Sequence, residues 1–317
     1  MDDSVFAPLR DRDWALTDAD SEYPPHDLHP YPARFIPQIP RILIEALSSP
    51  GETVFDPFCG GGTTLVEASL SGRDSIGTDV NPLAILISRA KTTPLSTSQI
   101  EAIRQIAGQA LDFSFVVRGQ APLLAPLATE SVGMVPPIPN LARWFQPHVI
   151  DELRTLTALL DGLEDEPTRT FCQVALSSIL VGVSNQDSET RYTVRQKDIP
   201  RGTVFSRFSQ RLNAALQSIQ QYQSVRQPVK VHTDIADARH LDAIPDQWCH
   251  LVVTSPPYPN AFDYHLYHRH RLFWLGFEPV RLARSEIGSH LNYQRDGESI
   301  ETFARDMRAC LEHIKRI

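Results

Sequence analysis

Two short segments of this sequence carry residue types that could do chemistry, DPFCGGGTT at 56–64 and SPPY at 255–258. The first places an acid and three glycines where a β-branched run gives way to helical spacing. Glycines at such a turn let the backbone approach a ligand, and the following helix offers unpaired N–H groups. The segment lacks the lysine of a phosphate-binding Walker loop and does not fit the G-x-G-x-x-G dinucleotide fingerprint. It therefore predicts a ligand site of another kind.

The glycine segment resembles the cofactor loop of S-adenosylmethionine-dependent amino-methyltransferases, with the pattern D-P-F-x-G-x-G-T. The matching residues are Asp56, Pro57, Phe58, Gly60, Gly62 and Thr63. The resemblance implies that Asp56 holds the amino group of the methionine portion and that the glycine turn passes beneath the cofactor. It also implies that Asp79 accepts hydrogen bonds from the ribose hydroxyls, a suitable task for a carboxylate. Standing alone, Asp79 is equally well explained as a turn residue at a strand end.

Two further segments extend the resemblance around the cofactor. The stretch 29–37, HPYPARFIP, resembles the family segment that closes over the methionine portion, which implies roles for His29 and Tyr31. The alternative is a proline-rich connector. Asp237 follows the third predicted strand, where the family places an acid near the adenine, and a surface-loop acid is the alternative.

The tetrapeptide resembles the (Asp/Asn/Ser)-Pro-Pro-(Tyr/Phe) motif of enzymes that methylate exocyclic amino groups of bases. Such a nitrogen is a poor nucleophile because its lone pair is delocalised into the ring. Acceptors at the Ser255 hydroxyl and the Pro256 carbonyl would localise that pair, while Pro256 and Pro257 fix the backbone direction. Tyr258 would stack on a base taken out of the duplex. Within the family, serine at the first position goes mostly with cytosine-N4 methylation and aspartate with adenine-N6.

Strand-like and helix-like segments alternate around both motifs, which predicts an α/β fold with a mostly parallel sheet. Four strands are predicted, at about 53–56, 74–78, 229–233 and 250–254. The resemblance implies a Rossmann-like methyltransferase domain with the central strand order 3-2-1-4-5. Helices are predicted at 262–276 and 300–316, and no strand pattern follows the fourth strand. We therefore expect the C-terminal strands to be missing and the fourth strand to be an apolar edge. A second polypeptide, a homo-oligomer or a truncated chain would explain this.

The predicted methyltransferase domain comprises residues 28–95 and 229–317, interrupted by a largely helical insertion at 96–228 that is a candidate target-recognition region. Residues 190–211 carry a local charge of +5, which suits contact with DNA phosphates. The candidate DNA-binding residues are Arg191, Arg195, Lys197, Arg201, Arg207 and Arg211. The interleaved Tyr192, Phe205 and Phe208 suit stacking on bases, although a solvated helix face explains the stretch equally well. Trp144 and Phe145 are predicted to be core residues rather than a base wedge.

The composition is that of a globular protein, with 42% hydrophobic and 21% charged residues among 317. No run approaches the roughly 20 apolar residues of a membrane span, and we expect no signal peptide. Four cysteines without a CxxC pair exclude a zinc ribbon and favour the cytoplasm over a disulfide framework. The net charge of −8 comes mostly from a loose acidic arm at 1–27, which carries −6, so it does not argue against DNA.

Three histidines at 265, 268 and 270 raise the question of a metal site. Their spacing does not place all three on one helix face, and no acid in the sequence pattern completes a ligand set. We therefore predict no metal. With Arg269 and Arg271, this stretch is expected to line the substrate side.

The resemblance implies a DNA methyltransferase that transfers a methyl group from S-adenosylmethionine to the exocyclic amino group of a flipped base. It favours N4 of cytosine, in a specific DNA site and in a restriction-modification or defence setting. The alternatives are an adenine-N6 DNA methyltransferase, an RNA amino-methyltransferase and a non-catalytic methyltransferase-like subunit that binds nucleic acid. RNA enzymes of this kind usually carry an RNA-binding domain ahead of the glycine loop, where this sequence has 52 residues before the first predicted strand.

Overall fold

The computed structural model describes residues 6–10, 12, 14–120, 133–260, 262–291 and 299–317. Six strands fall into a four-stranded parallel sheet and a separate two-stranded antiparallel hairpin. The strands are β1 (Thr53–Asp56), β2 (Asp74–Asp79), β3 (Gln186–Ser188), β4 (Arg191–Val194), β5 (Val231–Ile235) and β6 (Leu251–Val252). The parallel sheet has the order β5-β2-β1-β6. The predicted fold class, a mostly parallel α/β sheet, is confirmed, and the four strands have the predicted relative order 3-2-1-4.

Helices pack on the sheet and fill the segment between β2 and β5. They are α1 (Ala7–Arg10), α2 (Gln38–Leu47), α3 (Thr63–Leu70), α4 (Pro82–Thr92), α5 (Thr97–Val117), α6 (Leu141–Trp144), α7 (Pro147–Asp161), α8 (Glu166–Ile179), α9 (Thr203–Val225), α10 (Tyr264–Tyr267), α11 (Arg269–Trp274), α12 (Pro279–Ser285) and α13 (Ile300–Arg316). The single helix predicted at 262–276 is two short helices, because the backbone leaves helical geometry at His268. None of the described helices combines the length and apolar character needed to cross a membrane.

Local sequence signals place the two helices that follow the central strands. Gly62 begins α3 in a left-handed conformation directly after the glycine loop. Asn81 caps α4, with its side chain accepting a hydrogen bond from the Leu83 N–H, and Pro82 occupies the first turn. Both connections therefore turn at the carboxyl edge of the sheet, which is where parallel α/β sheets bind ligands.

The insertion shares its core with the sheet's own helices. One hydrophobic cluster extends from Leu28 and α4 through α5, α7, α8 and α9 to α11. Trp144 and Phe145 are buried in it, as predicted. Phe205 and Phe208 are buried there too, so the expectation that these rings stack on bases is wrong. Their spacing places both rings on the face of α9 that packs against the other helices. Burying their apolar area there is more favourable than leaving it exposed to solvent.

Two features differ from the sequence-based expectation. The hairpin β3–β4 interrupts the helical insertion, and its three- and four-residue strands have no strong apolar alternation. The end of the acidic arm is anchored rather than loose. The hydroxyl of Tyr23 donates to the buried Glu67 carboxylate at 2.6 Å, and His26 Nε2 lies 2.7 Å from the same carboxylate.

Strand β6 forms one edge of the parallel sheet, and no strand follows it among the described residues. The end of α13 lies beside its start, because Gln247 N–H donates to the Arg316 carbonyl and Cys249 N–H to the Ile317 carbonyl. The side chain of Ile317 is buried against Phe55. The residues that lead into β6 are therefore held from both sides, whereas the two strand residues are only half-buried.

Candidate active site

A cavity at the carboxyl edge of the sheet joins the two motifs. Its wall includes most of the predicted site residues, namely Tyr31, Asp56, Pro57, Phe58, Gly60, Thr63, Asp79, Asp237, Ser255, Pro256, Pro257 and Tyr258. These residues are far apart in the sequence, and the strand order brings them together because β1 is flanked by β2 and β6. Two predicted cofactor residues, His29 and Gly62, are not in the wall.

Asp56 ends β1 at the floor of the cavity. Its Oδ1 accepts hydrogen bonds from the hydroxyl of Thr254 at 2.6 Å and from the N–H of Phe58 at 3.1 Å. Burial raises the pKa of this carboxyl to about 6, and the Thr254 bond limits the rise. The residue before the SPPY tetrapeptide is thus bonded directly to the acid of the glycine loop.

Asp79 ends β2 on the other side of the glycine loop. One carboxylate oxygen accepts from the N–H of Gly60 at 2.9 Å and the other from the N–H of Asn81 at 2.8 Å. Burial raises the pKa of this carboxyl to about 6, against the lowering effect of the two N–H donors. Each oxygen retains a free lone-pair direction for a further donor.

Gly62 contributes through packing rather than by lining the cavity. It has φ +78°, and a Cβ at this position would lie 2.8 Å from Ser88 Oγ and 3.1 Å from Ser88 Cα of α4. Only glycine fits both the backbone conformation and the close approach of α4. Gly62 thereby sets the path of the loop that Gly60 and Thr63 present to the cavity.

Tyr31 forms one wall of the cavity above the glycine loop. Its ring stacks on Tyr264 with centroids 5.6 Å apart and on His268 at 5.2 Å. Its hydroxyl accepts a hydrogen bond from the side-chain amide of Asn81 at 3.2 Å. The proline-spaced stretch therefore reaches the cavity through Tyr31, as the resemblance implies.

His29 is turned away from the cavity into the helical layer. Its Nε2 lies 2.9 Å from Ser177 Oγ of α8, and its Nδ1 lies 2.7 Å from the Pro30 carbonyl. The ring is buried, and burial and the charge of Arg271 lower the pKa of His29 well below its usual value. The structure thus corrects the expected cofactor contact: His29 anchors the segment that carries Tyr31.

Asp237 lines the cavity but is already paired. Arg239 bonds both of its carboxylate oxygens, with the shortest contact at 2.6 Å, and this pairing holds the pKa of Asp237 below its usual value despite the opposing effect of burial. Arg239 also bonds Asp306 of α13 at 2.9 Å. This acid is therefore fixed at the rim of the cavity by a link to α13.

The SPPY tetrapeptide is more exposed than Asp56. Ser255, Pro256 and Pro257 are half-buried, and 64% of Tyr258 is exposed. Gly288, which the sequence gives no reason to single out, packs against this turn with φ +74°. A Cβ there would lie 2.8 Å from the Tyr258 carbonyl oxygen, and the Gly288 carbonyl accepts from the N–H of Asn260 at 2.9 Å. The segment around Gly288 therefore holds the tetrapeptide from outside the sheet.

The three histidines after the tetrapeptide have three different environments. His265 Nδ1 lies 2.5 Å from Glu286, His268 stacks on Tyr31, and the ring of His270 contacts Trp144, Phe145 and Tyr192. Acids do meet His265: ligand atoms of Asp263, His265 and Glu286 lie within 4.8 Å of one another. The expectation that no acid joins these histidines is thus wrong, because chain folding brings Glu286 in from 21 residues away. Both carboxylates already accept protein hydrogen bonds, and we assign no metal to them.

Two arginines of the same stretch were expected on the substrate side. Arg271 is buried and joins elements instead: it donates to Glu189 of the hairpin turn at 2.6 Å and to the Ser177 carbonyl of α8 at 3.0 Å. Arg269 lies over the ring of Phe273. The cavity wall receives Phe262 and Tyr264 from this region, and neither arginine is part of it.

The six candidate DNA-binding residues separate into two groups. Arg191, Arg195 and Arg201 are exposed, and Arg207 is exposed although it also donates to the Gly182 carbonyl. Lys197 and Arg211 are bound internally, Lys197 to the carbonyls of Val181 and Gln186 and Arg211 to Ser178 and the Asp27 carbonyl. The ring of Tyr192 faces Trp144 and His270. The exposed part of the basic stretch therefore consists of arginines, and its aromatic rings pack against other residues of the protein.

The parallel sheet, the glycine turn at the end of β1 and the acid at the end of β2 define a Rossmann-like methyltransferase fold. Residues 11–89 match the N6/N4 methyltransferase family described as DNA methylase. Type II methyltransferase M.MvaI of Kocuria varians is 27% identical over 249 residues, which cover 74% of this chain and 53% of that protein. Type II methyltransferase M.MjaII of Methanocaldococcus jannaschii is 21% identical over 341 aligned positions, 83% of this chain and 64% of that protein.

The chain is thus similar to N6/N4 DNA amino-methyltransferases, most specifically over residues 11–89. It spans between about half and two thirds of the length of these two curated relatives. The matched family region includes the glycine loop and Asp79 and ends in α4, so it covers the part of the cavity around the glycine loop.

Proposed function

We propose that the cavity transfers a methyl group from S-adenosylmethionine to the exocyclic amino nitrogen of a DNA base. The observation that carries this proposal is that the glycine loop and the SPPY tetrapeptide line one cavity, with Thr254 bonded to Asp56 at 2.6 Å. A methyl donor bound over the glycine loop and a base held at the tetrapeptide would thus be neighbours. The type II methyltransferases among the relatives support this reaction and a restriction-modification setting.

The described residues fit this methyl donor, which supplies an activated methyl group on a sulfonium. Asp56 would hold its ammonium group and Asp79 its ribose hydroxyls, since each carboxylate lines the cavity and has acceptor capacity left there. Gly60 has no side chain, so its backbone is accessible to the ligand, and the ring of Tyr31 packs over the glycine loop. Asp237 would lie near the adenine, oriented by Arg239.

The tetrapeptide would prepare the target nitrogen. The Ser255 hydroxyl and the Pro256 carbonyl accept the amino hydrogens, which localises the nitrogen lone pair toward the methyl group. A bond from nitrogen to carbon forms as the carbon–sulfur bond breaks, and the surplus proton leaves to water. The exposed ring of Tyr258 is available to stack on a flipped base. A serine rather than an aspartate at 255 supports cytosine N4 as the target, with adenine N6 as the alternative.

DNA contact is proposed for the exposed arginines of the hairpin and the following turn. Arg191 and Arg195 lie at the two ends of β4, which is near α11 and near α10, the helix that supplies Tyr264 to the cavity wall. Replacing both by alanine is expected to weaken DNA binding uniformly across sequences and to lower the salt slope by about two. Arg104→Ala on the exposed face of α5 is the matched control. An unchanged salt slope in the double variant would reject this face.

We also propose that β6 pairs with a further strand in the active protein, from a second polypeptide or a second copy of the chain. The support is its position at the sheet edge with half-buried Leu251 and Val252, an arrangement that proteins usually cover. Light scattering combined with a methylation assay tests it. A monomeric chain that methylates DNA at the same rate with and without a candidate partner would contradict it.

The reaction is tested by incubating the protein with tritiated S-adenosylmethionine and either genomic DNA or RNA, followed by mass spectrometry of the nucleosides. N4-methylcytosine in DNA is the expected product. N6-methyladenine would reverse the base preference, and label confined to RNA would reverse the substrate. Cofactor binding without label in any nucleic acid, with and without a partner, would favour a non-catalytic subunit. A DNA substrate agrees with the cytoplasmic location expected from the sequence.

A further inference from the structure

A lysine lies buried beside the glycine loop without a hydrogen-bond partner. Lys91, near the end of α4, has no exposed surface, and its Nζ has no acceptor among the described residues. Buried charged groups are normally paired, because an unpaired one costs several kcal/mol. Methionine would fill the same space without that cost. The position therefore calls for a partner that the described part of the chain does not supply.

The Nζ atom lies against the glycine loop. A Cβ built on Gly61 would be 3.6 Å from Lys91 Nζ and 3.3 Å from Tyr31 Cβ, and both Gly61 and Tyr31 are part of the cavity wall. Lys91 is not itself a wall residue, but its ammonium group lies directly behind these two. The N-terminus of α3 follows one residue after Gly61, and no side chain caps it. Lysine and an uncapped helix N-terminus both favour an anion.

Two other cations lie nearby, and both are already bonded: Arg211 donates to Ser178 and to the Asp27 carbonyl. Arg34 lines the cavity, but its guanidinium bonds the carboxylate of Glu22 and the His26 carbonyl at 2.6 Å. Asp27, the remaining acid near Lys91, accepts from the Ser218 hydroxyl and does not reach Nζ. Lys91 is thus a cation just behind this wall that has no counter-ion within reach among the described residues.

We propose that Lys91, together with the N-terminus of α3, binds the carboxylate of the methionine portion of S-adenosylmethionine. This inference rests on the proposed function, since it assumes that Asp56 holds the ammonium group. The ammonium and carboxylate groups are attached to one carbon atom, so a ligand anchored at Asp56 must place its carboxylate within a few ångströms. Gly61 lies five residues after Asp56 in the same loop, on the side of Lys91.

The protonation behaviour of Lys91 agrees with a role in binding a ligand carboxylate. Burial, and then the charge of Arg34, lower the pKa of the Lys91 ammonium to about 7. A bound carboxylate would hold the proton on the lysine, so the free energy lost by burying the ammonium is recovered when the ligand arrives. The site should therefore select ligands that carry the carboxylate, because a ligand that lacks it leaves the Lys91 ammonium unpaired.

The experiment compares S-adenosylmethionine with decarboxylated S-adenosylmethionine, which keeps the sulfonium and the amine, by calorimetry at pH 6.5. We expect the unmodified protein to prefer the complete compound by at least about tenfold, or about 1.4 kcal/mol. Lys91→Met should lose about tenfold in affinity for S-adenosylmethionine and change by less than about twofold for the decarboxylated compound. Lys230→Met, at an exposed position before β5, should change neither.

Thermal unfolding supplies a second measurement. Without ligand, Lys91→Met should unfold at a higher temperature than the unmodified protein, because it removes an unpaired buried ammonium, while S-adenosylmethionine should stabilise it less. The proposal is overturned if the unmodified protein does not distinguish the two compounds, a result that needs no variant. It is also overturned if Lys91→Met weakens both compounds equally. If the unmodified protein binds neither compound, the proposed function fails as well.

Discussion

The two halves of the cavity are built differently. On the cofactor side, Asp56 is buried and Asp79 is half-buried, and each accepts two hydrogen bonds from its neighbours. On the base side, the tetrapeptide is half-buried and Tyr258 is mostly exposed. The cofactor half is therefore preformed by the sheet, whereas the base half is a loop supported at its outer surface by Gly288.

This difference should separate the residues that set cofactor affinity from those that set the methylation rate. In the proposed function, carboxylates fixed at strand ends would recognise the cofactor at little cost in ordering. An exposed aromatic ring and a short turn gain their partners only when a base arrives from the duplex. Substitutions in the first half should mainly change cofactor affinity, and substitutions in the second half should mainly change the methylation rate.

The largest effect is expected from Asp56→Ala. Removal of the carboxylate deprives the ammonium group of its acceptor and the Thr254 hydroxyl of its partner, so S-adenosylmethionine affinity should fall by at least about 100-fold. Calorimetry measures this, with Asp242→Ala, an exposed acid, as the control. Unchanged cofactor affinity in Asp56→Ala would contradict the proposed division of the cavity into a cofactor half and a base half.

A large effect on turnover alone is expected from Ser255→Ala. Loss of one acceptor on the target amino group should lower the methylation rate by roughly 30-fold, while cofactor affinity stays within about twofold. Single-turnover methylation and calorimetry on the same preparation give the two values. If cofactor affinity fell together with the rate, the serine would belong to the cofactor half.

The buried acids predict a dependence on pH. Because the pKa values of Asp56 and Asp79 are raised to about 6, both are largely protonated at pH 5 and ionised at pH 7. Cofactor affinity should therefore fall by about tenfold from pH 7 to pH 5 for each carboxylate involved. The unliganded protein should show the reverse trend in stability. A native pKa above the unfolded value stabilises the fold at low pH, and this contribution is lost as the pH rises through 6. Affinity independent of pH in this range would mean that neither carboxylate contacts the cofactor.

The alkaline side of the same titration concerns Lys91. The contribution of Lys91 to cofactor affinity should decline above pH 7. Lys91→Met should remove this decline from the pH profile of the affinity. The charged and titratable groups that act on this lysine from the surrounding elements are Glu22, Asp27, Arg34 and Arg211, with His26 and His29 beside it. Loss of the same alkaline decline in Lys230→Met would show that it does not arise from Lys91.

The smallest effect is expected from Gly288→Ala. A Cβ would meet the Tyr258 carbonyl oxygen, so the tetrapeptide must shift and the methylation rate should fall by about fivefold, with cofactor affinity unchanged. Gly276→Ala is the matched control, because Gly276 also has a positive φ, +78°, but no atom within 4 Å of the added carbon. Equal rates in the two variants would show that backbone strain, not contact with the tetrapeptide, decides the outcome.

Much of the cofactor half could be predicted from the sequence. Strands β1 and β2 are short β-branched runs that end at Asp56 and Asp79, and helix α13 coincides with its predicted range 300–316. These are local signals: strand composition, a glycine turn, a proline in the first helical turn. Chain order then fixes which strand ends meet, because crossover connections in parallel sheets have one hand.

The remainder depends on contacts between distant residues. Lys91 resembles a helix-end lysine in the sequence and becomes buried because the insertion helices cover α4. Gly288 and Glu286 lie in no recognisable motif, and they reach the site only after α12 returns the chain to the tetrapeptide. The hairpin β3–β4 is too short for periodicity to separate it from a turn.

The hydrogen bond between Thr254 and Asp56 has a consequence for protein engineering. An attempt to exchange base specificity by grafting a different tetrapeptide would break this bond unless residue 254 moved with the graft, because the hydroxyl serves the acid of another strand. The unit to transplant would therefore be the five residues 254–258, although the proposal gives a base contact only to the last four.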